Sequence, residues 1–171
     1  DKKTLLTTTY GINRGFQVIH PGDVPEGKEE LATTLDGMEK FMKPISLKEI
    51  KEKLKKVDML VTGASAITPS GIRFGKGHGY FDLEWAMLWE TQVVDLKTPV
   101  IAVGHDCQVV DMEIETTPYD TIVDYIVTPT KVMNVNSQLS KPTSGVIWDK
   151  LEKGMIENIP PLQELYDLKR Q

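Results

Sequence analysis

Three glycines at alternate positions, Gly75, Gly77 and Gly79, lie in the run Arg73-Phe74-Gly75-Lys76-Gly77-His78-Gly79-Tyr80-Phe81-Asp82 and lead straight into an apolar stretch, Tyr80 to Trp89, that reads as a helix. A glycine, lacking Cβ, enters left-handed and mirror-β conformations, so successive N–H groups can turn inward toward one anion while the ligand approaches the main chain. The start of the following helix adds unpaired amides and the positive end of its dipole. Met59 to Thr62 before the loop and Val100 to Val103 after the helix read as buried strands. Strand, glycine loop, helix and strand make a right-handed crossover unit, with its ligand expected at the carboxyl edge of a parallel sheet. The loop read alone leaves a plainer alternative, a glycine-rich surface turn ending in a solvated aspartate.

Other segments extend the alternation of strands and helices. Leu5 to Thr9 and Phe16 to Ile19 read as strands around a turn at Gly11 to Gly15, and Pro21 to Pro25 as a loop. Glu26 to Met42 is partly helical. Ser46 and Glu49 form a capping box opening a helix whose stripe is Leu47, Ile50, Leu54 and Val57. Lysines at 48, 51, 53, 55 and 56 fill the rest of that helix and are read as a solvated face rather than a nucleic-acid surface. Tyr125 to Val127 is a third short strand suited to a parallel sheet. From Ser144 the chain reads as two helices joined near Pro160-Pro161, packed through Trp148, Ile159 and Leu162. The expectation is an α/β fold in three layers, α/β/α, around a mostly parallel sheet.

Length and composition set bounds on partners and compartment. With 171 residues, 40% hydrophobic, the chain can bury a real core, and one domain is the default. A net charge of -5 argues against nucleic acid as the partner. A lone cysteine, Cys107, excludes an internal disulfide, and no apolar run reaches bilayer length, so a cytoplasmic protein without a membrane partner is expected. Three spread histidines argue against zinc. His105-Asp106-Cys107 offers a cysteine–histidine pairing, but a packed thiol at a strand end is the favoured reading. Asp82 sits where a carboxylate meets the helix dipole, and capping would account for it. For Asp120 and Asp124, four apart, a solvated loop acid followed by a strand-entry acid is the plain reading, favoured for Asp124.

The glycine run resembles the hallmark of the 5-formyltetrahydrofolate cyclo-ligase family: an arginine, an apolar residue, Gly-x-Gly-x-Gly, two aromatics and an aspartate, here Arg73, Phe74, Gly75, Gly77, Gly79, Tyr80, Phe81 and Asp82. Pro99 to Val110, with Gln108 after its apolar strand, is similar to a second family block, and Asp120 to Pro129 to a third. Within the family the likeness is to a divergent, cyclo-ligase-like branch, carried by Lys76 to Glu84, His105 to Gln108 and Gly145 to Asp149. It covers about Lys3 to Leu165. Two departures stand out. Leu83 occupies a position where the family commonly has a basic residue, and the chain opens into an apolar stretch where the family has a helix bearing phosphate-binding Lys and Arg.

The resemblance implies a fold of the NagB/ribose-5-phosphate isomerase/CoA-transferase-like kind. It implies one domain over residues 1–171 without the family's N-terminal helix, with 144–171 as a helical tail. It also implies ATP-dependent closure of 5-formyltetrahydrofolate to 5,10-methenyltetrahydrofolate, with ATP and Mg²⁺ as cofactors and a monomer or homodimer. Residues Arg73, Phe74, Gly75, Lys76, Gly77, His78, Gly79, Tyr80 and Phe81 would hold the phosphates, Arg73, Lys76 and Tyr80 would serve catalysis, and Asp82 and Asp120 would hold magnesium. A module that keeps the anion loop and has lost turnover is the alternative.

Overall fold

A computed structural model describes residues 2–170. In chain order the elements are β1 (Leu5–Thr8), β2 (Phe16–Ile19), α1 (Glu29–Ala32), α2 (Leu35–Phe41), β3 (Lys43–Ile45), α3 (Leu47–Glu49), β4 (Leu60–Thr62), β5 (Ala66–Ile67), β6 (Arg73–Phe74), α4 (Tyr80–Glu90), β7 (Val100–Val103), β8 (Tyr125–Val127), β9 (Val132–Asn134), α5 (Met155–Asn158) and α6 (Pro160–Lys169). They form two compact units, one from the chain up to Glu49 together with the segment from Leu151 onward, the other Ile50–Lys150.

The first unit centres on β2. Phe16, Val18 and Ile19 are buried, and so is Gln17, whose amide donates to the Arg14 carbonyl at 2.6 Å. β2 pairs antiparallel with β1 (Leu5↔Ile19) and with β3 (Phe16↔Ile45). An antiparallel sheet here departs from the mostly parallel expectation; its third strand, Lys43–Ile45, carries a central proline that hides it in the sequence. α6 opens with Pro160 at its first position, where no amide bond is lost, and buries Leu162 and Leu165 with Ile159 just before it.

The predicted capping box is present: the Ser46 amide donates to Glu49 Oε2 and the Glu49 amide to Ser46 Oγ, each at 3.1 Å. Glu164 of α6 completes it, its two carboxylate oxygens accepting from the Leu47 and Lys48 amides at 2.9 Å. The helix is shorter than its stripe. After Glu49 the backbone widens into a π turn over Ile50–Leu54, with the Lys55 amide bonding back to the Ile50 carbonyl and Lys55 at φ 64°. Val57 therefore leaves the helix and donates its amide to the Val93 carbonyl.

In the second unit the sheet order is β4-β7-β8-β9, with β4, β7 and β8 parallel and β9 antiparallel at the edge. The expected strands Val100–Val103 and Tyr125–Val127 stand as read. Leu60, Val100, Ala102 and Ile126 form a buried face, and α4 buries Leu83, Trp85, Ala86, Met87 and Leu88. The opposite face presents Val61, Val103 and Val132 to solvent at 59%, 47% and 70% exposure, where a three-layer arrangement would place helices. β4 leads through the β5–β6 hairpin and α4 into β7, its parallel neighbour, which is the crossover the glycine run predicted.

An ion pair with a buried cation fastens the amino end of this sheet. Lys141 Nζ lies 2.7 Å from Asp124 and also donates to the Leu96 carbonyl at 3.1 Å, while Asp124 accepts the Val100 amide at 2.7 Å. The approach of this segment is fixed by Trp85, whose indole N–H donates to the Pro142 carbonyl at 2.9 Å. Asp124 is thus a strand-entry acid.

Two stability measurements follow from these contacts. Lys141→Met leaves Asp124 without its cation and is expected to lower the unfolding free energy by about 2 kcal/mol, read from the urea midpoint. Glu164→Ala strips two helix-end amides of their acceptor and should cost about 1 kcal/mol. Exposed Glu157→Ala is expected to leave the midpoint within error.

Candidate active site at the glycine loop

All the residues singled out around the loop fall within the second unit. The loop is reached through the β5–β6 hairpin, held by the Ser65 amide on the Phe74 carbonyl at 2.7 Å and the Thr68 amide on the Ile72 carbonyl at 2.8 Å. At its tip Gly71 has φ 85°, and a Cβ there would lie 2.6 Å from the Val123 carbonyl oxygen. Only glycine lets the hairpin approach the 121–123 segment this closely. The Val123 amide donates to the Gly71 carbonyl at 3.0 Å, so Arg73 is delivered to a fixed place.

From Lys76 to Gly79 the loop is exposed. Gly77 and Gly79 have φ 79° and 65°, the left-handed conformation expected for them, and a Cβ on either would meet no atom within 4 Å. The space over these two residues is open, which suits a ligand lying on the backbone. Gly75 is different: its φ is not positive, and it lies beside Arg73. Gly79 is the residue before the first turn of α4 and offers no side chain as cap. The first-turn amides of such a helix have no intrahelical acceptor.

Asp82 is in that first turn but does not cap it. Its Oδ1 accepts from Arg73 Nη2 at 2.9 Å and from the Thr121 amide at 2.8 Å. The Arg73 and Asp82 side chains are 8% and 14% exposed. The guanidinium also stacks on the Phe81 ring at 4.4 Å, which gives Phe81 a packing role. Arg73 Nε and Thr121 Oγ1 are buried without a hydrogen-bond partner. Asp120 precedes Thr121, and its Oδ2 accepts the Thr117 amide at 2.6 Å. The two predicted magnesium carboxylates are thereby joined through one peptide.

Among the expected catalytic residues, Arg73 is thus committed to Asp82, while Lys76 stands on the exposed loop. His78 and Tyr80 stack with their rings nearly parallel, 2° apart, at 5.6 Å between centroids. Phe74 is half exposed at 54%. Leu83 is buried, so the position where the family commonly carries a basic residue belongs to the core in this chain. Thr121 carries no signal in the sequence; nothing in its residue type marks it, since it acts through its backbone.

A second polar cluster lies where the turns after β4, β7 and β8 meet. Gln108 accepts the His105 amide at 2.6 Å and donates to the Ala64 carbonyl, and the Gly104 amide donates to the Val127 carbonyl at 3.0 Å. His105 Nδ1 faces the Cys107 amide at 3.4 Å rather than its thiol, so a cysteine–histidine nucleophile is not assembled. Cys107 is exposed, not packed as expected. Asp106 Oδ1 accepts from Thr128 and Thr130 hydroxyls, both at 2.6 Å, and these bonds hold its carboxyl below the usual carboxylate range.

Because the folded form of Asp106 titrates below its unfolded value, near 4, its contribution to stability is present above that pH and is lost as pH falls through the folded pKa. Thr128→Val removes the leading cause. The Asp106 titration, followed by carboxyl NMR, is expected to move up toward the unfolded value, and no movement would show that the hydroxyl is not its partner.

Comparisons with known proteins converge on one family. The sequence model of the 5-formyltetrahydrofolate cyclo-ligase family matches residues 14–129. A protein of Mus musculus named methenyltetrahydrofolate synthase domain-containing protein is 36% identical over 99% of this chain and 45% of its own length. Its namesake in Homo sapiens is 37% identical over 96% of this chain and 42% of its own. The chain therefore spans less than half the length of the curated relatives it matches. Among the described residues no helix is long and apolar enough to cross a membrane.

Proposed function

The chain belongs to the 5-formyltetrahydrofolate cyclo-ligase family, and we propose that it carries the family's reaction, ATP-dependent closure of 5-formyltetrahydrofolate to 5,10-methenyltetrahydrofolate. The observation that carries the reading is the open space over Gly77 and Gly79 at the head of α4, on the residues of the family motif. In this scheme the formyl oxygen attacks the γ-phosphorus of ATP and ADP leaves; the second folate nitrogen then adds to the activated carbon, its proton passes to solvent, and phosphate departs as the C=N bond of the closed ring forms. Such transfers ask the protein for positioning and for positive charge around the phosphoryl group.

The loop backbone from Gly75 to Gly79 and the first-turn amides of α4 would hold the phosphates, with Lys76 as a countercharge and Arg73 as a second one once released from Asp82. Phe74, His78, Tyr80 and Phe81 flank the phosphate site, and Tyr80 offers a wall for the pterin or adenine. The donors fit magnesium. Among the described residues Asp82 Oδ2 and Asp120 Oδ1 take no hydrogen bond, the cation ordinarily uses one or two carboxylates beside substrate phosphates, and the buried Thr121 Oγ1, an oxygen on the residue bonded to Asp82, lacks a partner. When bound, the cation would neutralise charge on the phosphate oxygens. Among the described residues no group of three or more His, Cys, Asp or Glu forms a metal site.

Two observations favour a second reading, a nucleotide- or phosphometabolite-binding module without turnover. Arg73 is paired with Asp82, and Leu83 is buried where a further cation would help. A cytoplasmic location, a monomeric or homodimeric state and a single domain with the cyclo-ligase fold complete the proposal.

The deciding assay follows methenyltetrahydrofolate absorbance with ATP and magnesium. Product formation supports the ligase; ATP binding without product supports the module. Gly77→Val places a branched side chain in the open space and at positive φ, and should weaken ATP binding by at least about tenfold in calorimetry. Unchanged affinity in a folded variant would exclude this loop as the phosphate site.

A further inference from the structure

We propose that Arg73 is a lock on Asp82, competing with a divalent cation for the carboxylate until a phosphate-bearing ligand draws the guanidinium away. The inference rests on the reading of Asp82 as a cation ligand. A guanidinium meeting a carboxylate commonly makes two parallel bonds. Here one is made, from Nη2 to Oδ1, and the same oxygen also accepts the Thr121 amide. Arg73 Nε is left buried and without an acceptor, and Thr121 Oγ1, on the residue that shares Asp82, is likewise unpartnered. A buried donor left unmade is costly, so this geometry holds a charge in place without using its hydrogen-bonding capacity.

Both orphaned atoms belong to residues bonded to one carboxylate, in a place where Arg73 is 8% and Thr121 2% exposed. A phosphate oxygen is an acceptor able to take both Nε–H and the threonine hydroxyl. A cation on the open Oδ2 of Asp82 would stand close to the guanidinium held on Oδ1, and like charges at that range disfavour one another. Arg73 stands two residues before Gly75, in β6, so a guanidinium released from Asp82 stays within reach of the glycine loop. One residue thus weakens cation binding in the resting protein and supplies charge to the ligand in the occupied one. Cation and phosphate would then bind together with positive cooperativity.

The test titrates magnesium chloride alone, without nucleotide, into the wild-type chain, Arg73→Gln and Asp82→Asn, with calorimetry and thermal shift as readouts. Arg73→Gln is expected to bind magnesium at least about tenfold more tightly than wild type, and Asp82→Asn not at all. Inorganic phosphate added to the wild type should raise its magnesium affinity and leave that of Arg73→Gln little changed. Arg73→Lys, which keeps the charge but loses the planar fork, should fall between them and gives the same comparison if the glutamine variant is unstable. Equal magnesium affinity in wild type and the Arg73 variants would overturn the lock while leaving the cation reading intact. Absence of magnesium binding in every variant, with or without phosphate, would overturn both and leave the orphaned atoms to water. Binding rather than turnover is measured, so the comparison holds equally for a chain that catalyses nothing.

Discussion

The Asp82 carboxylate is the point on which the second unit's functional geometry hangs. One oxygen gathers a guanidinium from β6 and a backbone amide from the 121–123 segment, while the residue itself sits in the first turn of α4. The two ends of the glycine loop and a segment 39 residues further on are thereby held together. A desolvated, hydrogen-bonded charge pair is expensive to break by losing one member, which gives this junction its rigidity in the resting protein. The loop from Lys76 to Gly79 is free to stay open because its two ends are anchored elsewhere.

Rigidity at the ends and openness in the middle suit the chemistry of the family. A phosphate bound through backbone amides needs the main chain pre-arranged, since ordering it at the moment of binding would cost conformational entropy. In the proposed phosphate site the glycines would meet the steric requirement; Gly71 sets the position, since a Cβ there would collide with the Val123 carbonyl. The separate polar junction at His105 to Gln108 serves a related end. It ties the turns after three parallel strands to one another by hydrogen bonds, so the carboxyl edge of the sheet is held without burying charge.

Local patterns are legible where a short window carries the physics. The capping box at Ser46 and Glu49, the helix after the glycines, the strands at Val100–Val103 and Tyr125–Val127 and the breaks at Pro160-Pro161 all depend on residues within a turn or two of one another. The stripe through Leu54 and Val57 misleads because a π turn shifts the face on which later residues fall, and periodicity cannot report that. Lys43–Ile45 escapes notice because three residues with a central proline carry no alternation to read.

The sequence by itself determined which residues have the chemical means to bind an anion: the alternating glycines, the flanking cations and the aspartate at the helix start. Their conformational and charge properties travel with residue type, and the family likeness rests on the same letters. Only the tertiary structure decided how those means are spent. Arg73 faces Asp82, Asp82 takes its second bond from the peptide of Thr121, Leu83 turns into the core, and Asp124 pairs with Lys141 across the sheet's entry. These partners lie between 9 and 39 residues apart. An ion pair forms by proximity in space, and a backbone amide has the same chemistry in every residue but proline, so neither leaves a mark on the linear chain.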